Sequence, residues 1–134
     1  MKKIFFSLSL VLILFFCFGG LKEASAFSHK TGDIFVTKST SAYGLTGHSG
    51  IVIGNGSHVI HHERPNTKPT KISISDWHAK YKATKVVRHS NATTSKNAGD
   101  WAIRYYVDGP GKDFKYDLTK TPTDRTSTYC SKLV

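Results

Sequence analysis

Residues 48–63 read HSGIVIGNGSHVIHHE, and no other stretch constrains the fold as much. Two β-branched runs flank Asn55-Gly56, a dipeptide suited to a two-residue type I′ hairpin because both turn positions need positive φ. With Asn55 and Gly56 in the turn, Gly54 lies opposite Ser57, Gly50 opposite His61 and His48 opposite Glu63. Strand side chains alternate between faces. His48, Gly50, Val52, Val59, His61 and Glu63 therefore share one face, while His58 and His62 take the other. His48 and His61 become diagonal neighbours, roughly 7–8 Å apart between backbones and within reach of long side chains. Gly50 has no side chain and leaves room beside both. A slip of one residue would promote His62 in place of His61, so the prediction depends on the register.

The plain alternative is a set of solvated strand histidines. A metal site is the other alternative, because His58, His61, His62 and Glu63 lie close together in sequence. Alternation divides these residues between faces, and no helical His-Glu-x-x-His spacing occurs. No metal is expected on this reading.

The rest of the chain suggests strands with a few helices and no regular βαβ alternation. The expected class is α+β: a small antiparallel sheet or partial barrel with packed helices. Residues 31–39 read as a first strand entered through Gly32-Asp33, and 39–50 as a Ser/Thr/Gly-rich loop. A short helix is expected over 72–81 with Ser75 at its cap, a strand over 83–90, and a second helix over 94–107 ended by Gly109-Pro110-Gly111. Neither an internal repeat nor a linker divides the chain.

The N-terminus begins with Lys2 and Lys3, continues with an apolar stretch from Ile4 to Phe18, and reaches Ala24-Ser25-Ala26. This is the layout of a cleaved signal peptide over 1–26, with a mature start at Phe27. The apolar stretch is short for a membrane span of about 20 residues. Cys17 is preceded by Phe and makes a poor lipobox cysteine. The expected product is one secreted or cell-envelope domain, 27–134, with no stable membrane span. Without Lys2, Lys3, Lys22 and Glu23, the 19 basic and 9 acidic residues become 16 and 8, a net +8. Such a surface favours anionic envelope polymers or headgroups. The lysines are scattered singly, with no Arg-rich stripe among aromatics, so nucleic acid is not expected as a partner.

Removing Cys17 leaves Cys130 alone, in Thr-Tyr-Cys-Ser-Lys-Leu-Val at the end of the chain. An exported domain with one thiol has no internal disulfide, and the sulfur is structural, intermolecular or reactive. The local sequence reads as a polar loop entering a helix turn, with Ser127 or Thr128 near the cap. A thiol at a helix start is biased toward thiolate, and an imidazole beside it adds to that bias. Backbone N–H groups there are placed to receive a developing oxyanion. A buried structural cysteine is the competing reading.

The motifs GDIFVT, GHSGIVIGNGSHVIH and YCSKLV, in this order, resemble the circularly permuted branch of the NlpC-type papain-like cysteine peptidases and amidases. This branch includes YiiX-like and YycO-like proteins and, more distantly, lecithin–retinol acyltransferases. The resemblance covers essentially all of 27–134. It implies Cys130 as nucleophile, His48 as general base and His61 as the polar group orienting the imidazole, with Glu63 as the fallback for that last role. It also implies hydrolysis or transfer at an amide or ester through a thioester, with no cofactor. Cell-envelope material such as peptidoglycan peptides is the leading substrate, and lipid esters or amides are the next. The sequence identifies no substrate-binding residue. In the family the cysteine helix continues for several turns, whereas here one turn reaches Val134. A truncated domain is therefore expected, and a non-catalytic envelope-binding remnant is the alternative function.

Overall fold

The 48–63 hairpin forms in the expected register. The computed structural model describes residues 27–40, 47–118, 123 and 126–134. The expected signal peptide lies outside the described residues, as do 41–46 of the Ser/Thr/Gly-rich segment. Strand β2 (His48–Ile53) pairs antiparallel with β3 (His58–His61), matching Gly50 with His61 and Val52 with Val59. The connection differs from a two-residue turn. Gly54, Asn55 and Gly56 all have positive φ (59°, 57° and 86°), and the Ser57 amide donates to the carbonyls of Ile53 and Gly54. Glycine on either side of Asn55 lets three successive residues enter the left-handed region without steric cost. The register survives because Gly54 and Ser57 leave the ladder together, so Ile53 still pairs with His58.

Three more strands complete an antiparallel sheet: β1 (Ile34–Thr37), β4 (Thr70–Ser73) and β5 (Thr84–Val87). Their order is β4-β3-β2-β1-β5. Among the described residues the sheet is open, with β4 and β5 at its edges. β4 occupies residues expected to begin a helix. Helix α1 (Ile74–Lys80) starts after it, and Ser73 rather than Ser75 caps it by accepting from the Asp76 amide at 3.0 Å. Helix α2 (Ala92–Ala102) also starts earlier than expected, because Asn91 accepts from the Thr94 amide. It continues as a widened turn over Ile103–Val107, and Pro110 then opens a short 3-10 segment. Strands β6 (Lys115–Tyr116) and β7 (Ser127–Thr128) form a short parallel pair, and helix α3 (Cys130–Leu133) closes the chain.

Alternation along β2 and β3 separates two cores. Ile51, Ile53 and Ile60 pack with Ala102, Tyr106 and Leu133, so this face carries α2 and α3. Val52 and Val59 face the other way and pack with Phe35, Trp77 and Tyr81, so that face carries α1. Asp33, fully buried, is paired with Arg88 (Nε to Oδ1, 2.6 Å), which ties the entry of β1 to the end of β5. The guanidinium and the Lys30 amide hold the Asp33 carboxyl below the usual carboxylate range despite its burial. Among the described residues, no helix is long and apolar enough to cross a membrane.

Candidate active site

His48 opens β2 and His61 closes β3, and both point to the α1 face. His48 Nε2 lies 2.9 Å from His61 Nδ1. The backbone supplies the approach: Gly50, opposite His61, has no Cβ, and one placed there would meet Val59 Cγ1 at 2.5 Å and Trp77 Cζ3 at 3.0 Å. Trp77 fills the space above Gly50 and stacks on His48, with centroids 5.4 Å apart and planes 16° apart. The same indole meets His61 edge-on, and Tyr81, one helical turn further along α1, lies 5.1 Å from His48. Trp77 is itself anchored by a hydrogen bond from Nε1 to Thr84 Oγ1. The i, i+4 spacing of Trp77 and Tyr81 was available in the sequence as an apolar helix stripe, although their role as walls of the histidine site was not.

The imidazoles are 5% and 1% exposed. Burial lowers the pKa of each to about 4. For His48 the Glu63 carboxylate opposes this shift, while Lys80 and His62 reinforce it. Both rings are therefore neutral at pH 7, and one of the two facing nitrogens carries the shared proton. When His48 Nε2–H donates to His61 Nδ1, His48 Nδ1 is left with a free lone pair, which is the state a general base needs. This differs from a charge-separated resting pair: His48 enters as a neutral imidazole.

Glu63 occupies the neighbourhood expected of it but binds Lys80 (2.7 Å), so the direct contact to His48 is made by His61. A cavity of ≈ 510 Å³ opens on this side of the sheet, lined by Ser39, Gly47, His48, Glu63, Lys80 and Tyr81 among others. His58 turns away, with Nδ1 2.8 Å from Ser57 Oγ. His62 also lies on the opposite face, fully buried, its Nε2 2.7 Å from the Thr67 carbonyl and its ring edge-on to Tyr116.

Cys130 is the first residue of α3 and is half-buried. The helix is seated by Leu133 among Ile51, Ile53 and Ile60, so it packs on β2 from the face opposite the one to which His48 and His61 point. The Tyr116 hydroxyl is pushed above its usual range by burial and then by the nearby Cys130. Burial first, then Glu63 and Cys130, push the Tyr81 hydroxyl up to about 12, so it stays protonated. Tyr81 lies against the histidine pair, with ring centroids 5.1 Å from His48 and 6.3 Å from His61. Tyr116, in a two-residue strand, gave no periodic signal to the sequence analysis. The expected cap is corrected as well. Tyr129 occupies the cap position with extended backbone and no side-chain bond, because Ser127 and Thr128 are buried in β7. Among the described residues, no three His, Cys, Asp or Glu side chains are grouped to hold a metal ion.

A family model described as "Lipoprotein N-acylation protein LnsA-like" matches residues 5–134. A curated relative, an uncharacterized 30.3 kDa protein of Bacillus thuringiensis, is 32% identical over 117 residues, which is 81% of this chain and 43% of that protein. The chain therefore spans under half the length of this relative. No solved structure matches the chain. The family's description relates it to lipoproteins, an envelope-related class. The chain belongs to the LnsA-like family of lipoprotein N-acylation proteins.

Proposed function

We propose that the domain is a thiol-dependent acyl-transfer enzyme of the cell envelope, with Cys130 as nucleophile, His48 as general base and His61 as the residue that orients His48. The observation that carries this reading is the buried contact of 2.9 Å between His48 Nε2 and His61 Nδ1. In the tautomer in which His48 Nε2–H donates to His61 Nδ1, His48 Nδ1 is free to act as the base. A permuted papain-like arrangement, in which the histidine strand precedes the cysteine helix, accounts for the order His48, His61, Cys130 along the chain.

In this mechanism, His48 Nδ1 removes the thiol proton of Cys130 as sulfur attacks the carbonyl carbon of an ester or amide. The tetrahedral adduct collapses when His48 returns that proton to the departing oxygen or nitrogen. The acyl group remains on Cys130 as a thioester. An acceptor then attacks, gives its proton to His48 and frees the thiol. Water as acceptor makes the enzyme a hydrolase, and an amine makes it an N-acyltransferase. His61 accepts from His48 Nε2–H throughout and stabilises the transient imidazolium. The phenols of Tyr81 and Tyr116 are suited to donate to charge developing at the sulfur or the carbonyl oxygen.

The family's description favours transfer to an amine, and a lipid ester is the donor proposed in place of peptidoglycan peptides. The excess of basic residues suits an anionic surface around such a donor. Intact-mass spectrometry after incubation with diacyl phospholipid vesicles tests the reading. An acyl adduct is expected on Cys130, released by hydroxylamine and absent from Cys130→Ala. Addition of a diacylglyceryl-cysteinyl peptide with a free amine should discharge it as an amide. Fragments of peptidoglycan discharging into the same adduct, with no acylation from lipid, would replace this substrate by the peptide one.

A further inference from the structure

Cleavage after Ala26 would leave Phe27-Ser28-His29 as an amino terminus. A free amine with histidine in third position offers four nitrogens in one plane: the amine, two backbone amides and the imidazole Nδ1. That donor set and geometry select Cu(II) or Ni(II). We propose that the cleaved amino terminus is a square-planar Cu(II) or Ni(II) site formed by the Phe27 amine, the Ser28 and His29 amide nitrogens and His29 Nδ1.

Three features of the structure support this assignment. His29 Nδ1 is buried and has no hydrogen-bond partner, which is the cost expected of a ligand atom without its ligand. The other ring nitrogen, Nε2, faces His78 Nε2 at 3.4 Å, and the rings stack at 5.4 Å. A metal-bound imidazole needs a partner for its remaining N–H, and His78 is placed to accept it. The segment is also held in place: Arg88 donates to the Ser28 carbonyl at 2.9 Å, and the Lys30 amide donates to Asp33 at 2.8 Å. Neither bond uses a proposed ligand atom. A cavity of ≈ 370 Å³ opens beside Ser28, His29 and Asn55 and gives an ion a route in. Binding displaces the amide protons of Ser28 and His29 and one proton of the terminal ammonium, so affinity rises with pH. The site is independent of Cys130 and rests on cleavage at Ala26.

The test uses untagged protein exported and processed by a bacterial host, with its amino terminus read by mass spectrometry. Ni(II) and Cu(II) are titrated separately. The expected result is a Phe27 terminus, one equivalent of diamagnetic square-planar Ni(II), and a Cu(II) spectrum with four nitrogen ligands. A chain with one glycine inserted before Phe27 should lose both signatures, as should His29→Ala, while His78→Ala should keep them and bind about 10–100-fold more weakly. A terminus at another residue would overturn the proposal. So would a four-nitrogen site that survives the glycine insertion, since that would put the metal on other groups.

Discussion

The two faces of the β2–β3 hairpin come from the same alternating sequence and meet different physical demands. On one, Ile51, Ile53 and Ile60 form a dry aliphatic floor on which Leu133 seats the cysteine helix. On the other, Val52 and Val59 support a box of aromatic rings that encloses His48 and His61. The first face stabilises by burial, and any apolar residue of suitable volume serves there. The second buries two imidazoles and holds them neutral at a cost in stability. A four-residue helix has little intrinsic stability, so the cysteine depends on the aliphatic face for its position. The cysteine helix rests on one face and the histidine pair is enclosed on the other.

Ile60→Ala is expected to break the comparison most severely. Ile60 is fully buried in the aliphatic floor, and the truncation should cost about 2–5 kcal/mol in urea unfolding. A loss below 1 kcal/mol would show that this face is not the stabilising one. The aromatic face should reveal itself through pH. His48 and His61 have folded pKa values near 4, below the 6.5 of the exposed ring. The unfolded chain therefore binds protons first as pH falls. Stability is complete above pH 6.5 and should decline toward pH 4, by on the order of 3 kcal/mol for each ring that must stay neutral. Unfolding midpoints at pH 7, 6 and 5 measure this before the carboxylates titrate. His48→Gln/His61→Gln should flatten the slope, and an unchanged slope would place its origin elsewhere.

Gly50→Ala adds a methyl where Val59 Cγ1, the Ile60 carbonyl oxygen and Trp77 converge within 3.0 Å. The expected loss is about 1–3 kcal/mol, because the backbone oxygen cannot step aside. Near-ultraviolet circular dichroism should show Trp77 displaced, whereas an unaltered spectrum would mean that the box has slack. His62→Ala should be the mildest change for catalysis. It removes a fully buried ring that packs on Tyr116 and its hydrogen bond to the Thr67 carbonyl, and should cost about 2–4 kcal/mol in stability. Its acylation rate should stay within a few-fold of the parent protein, in contrast to His61→Ala.

Much of this division was legible in the sequence, because Asn55-Gly56 fixes a register and alternation then assigns each residue to a face. That reasoning selected His61 over His62 for contact with His48 and correctly sent His58 away. The three-residue left-handed turn did not disturb it. Shorter elements were less legible. Thr70–Ser73 is an edge strand of four residues with half-exposed side chains, and without a long alternating run it resembles a helix approach. Lys115–Tyr116 and Ser127–Thr128 form a parallel pair too short to leave any periodic trace, so the pairing that places Tyr116 beside Cys130 was invisible. The same pairing buries Ser127 and Thr128 and removes them from the capping role that their chemistry suggested. The neutral state of His48 was hidden as well, since burial by Trp77 and Tyr81 arises only when α1 packs on the sheet.

The most direct test of the account is the rate of Cys130 acylation by an activated fatty-acyl ester, followed by intact mass from pH 5 to 8 in the parent protein and in His48→Ala. General-base assistance is worth about 10²–10⁴-fold, and the parent should hold its advantage down to pH 5 because His48 titrates near 4. Equal rates in the two proteins, both rising with pH like a free thiol of pKa about 8.5, would contradict a Cys130–His48 unit. In that case the domain would be better understood as an envelope-binding surface without turnover.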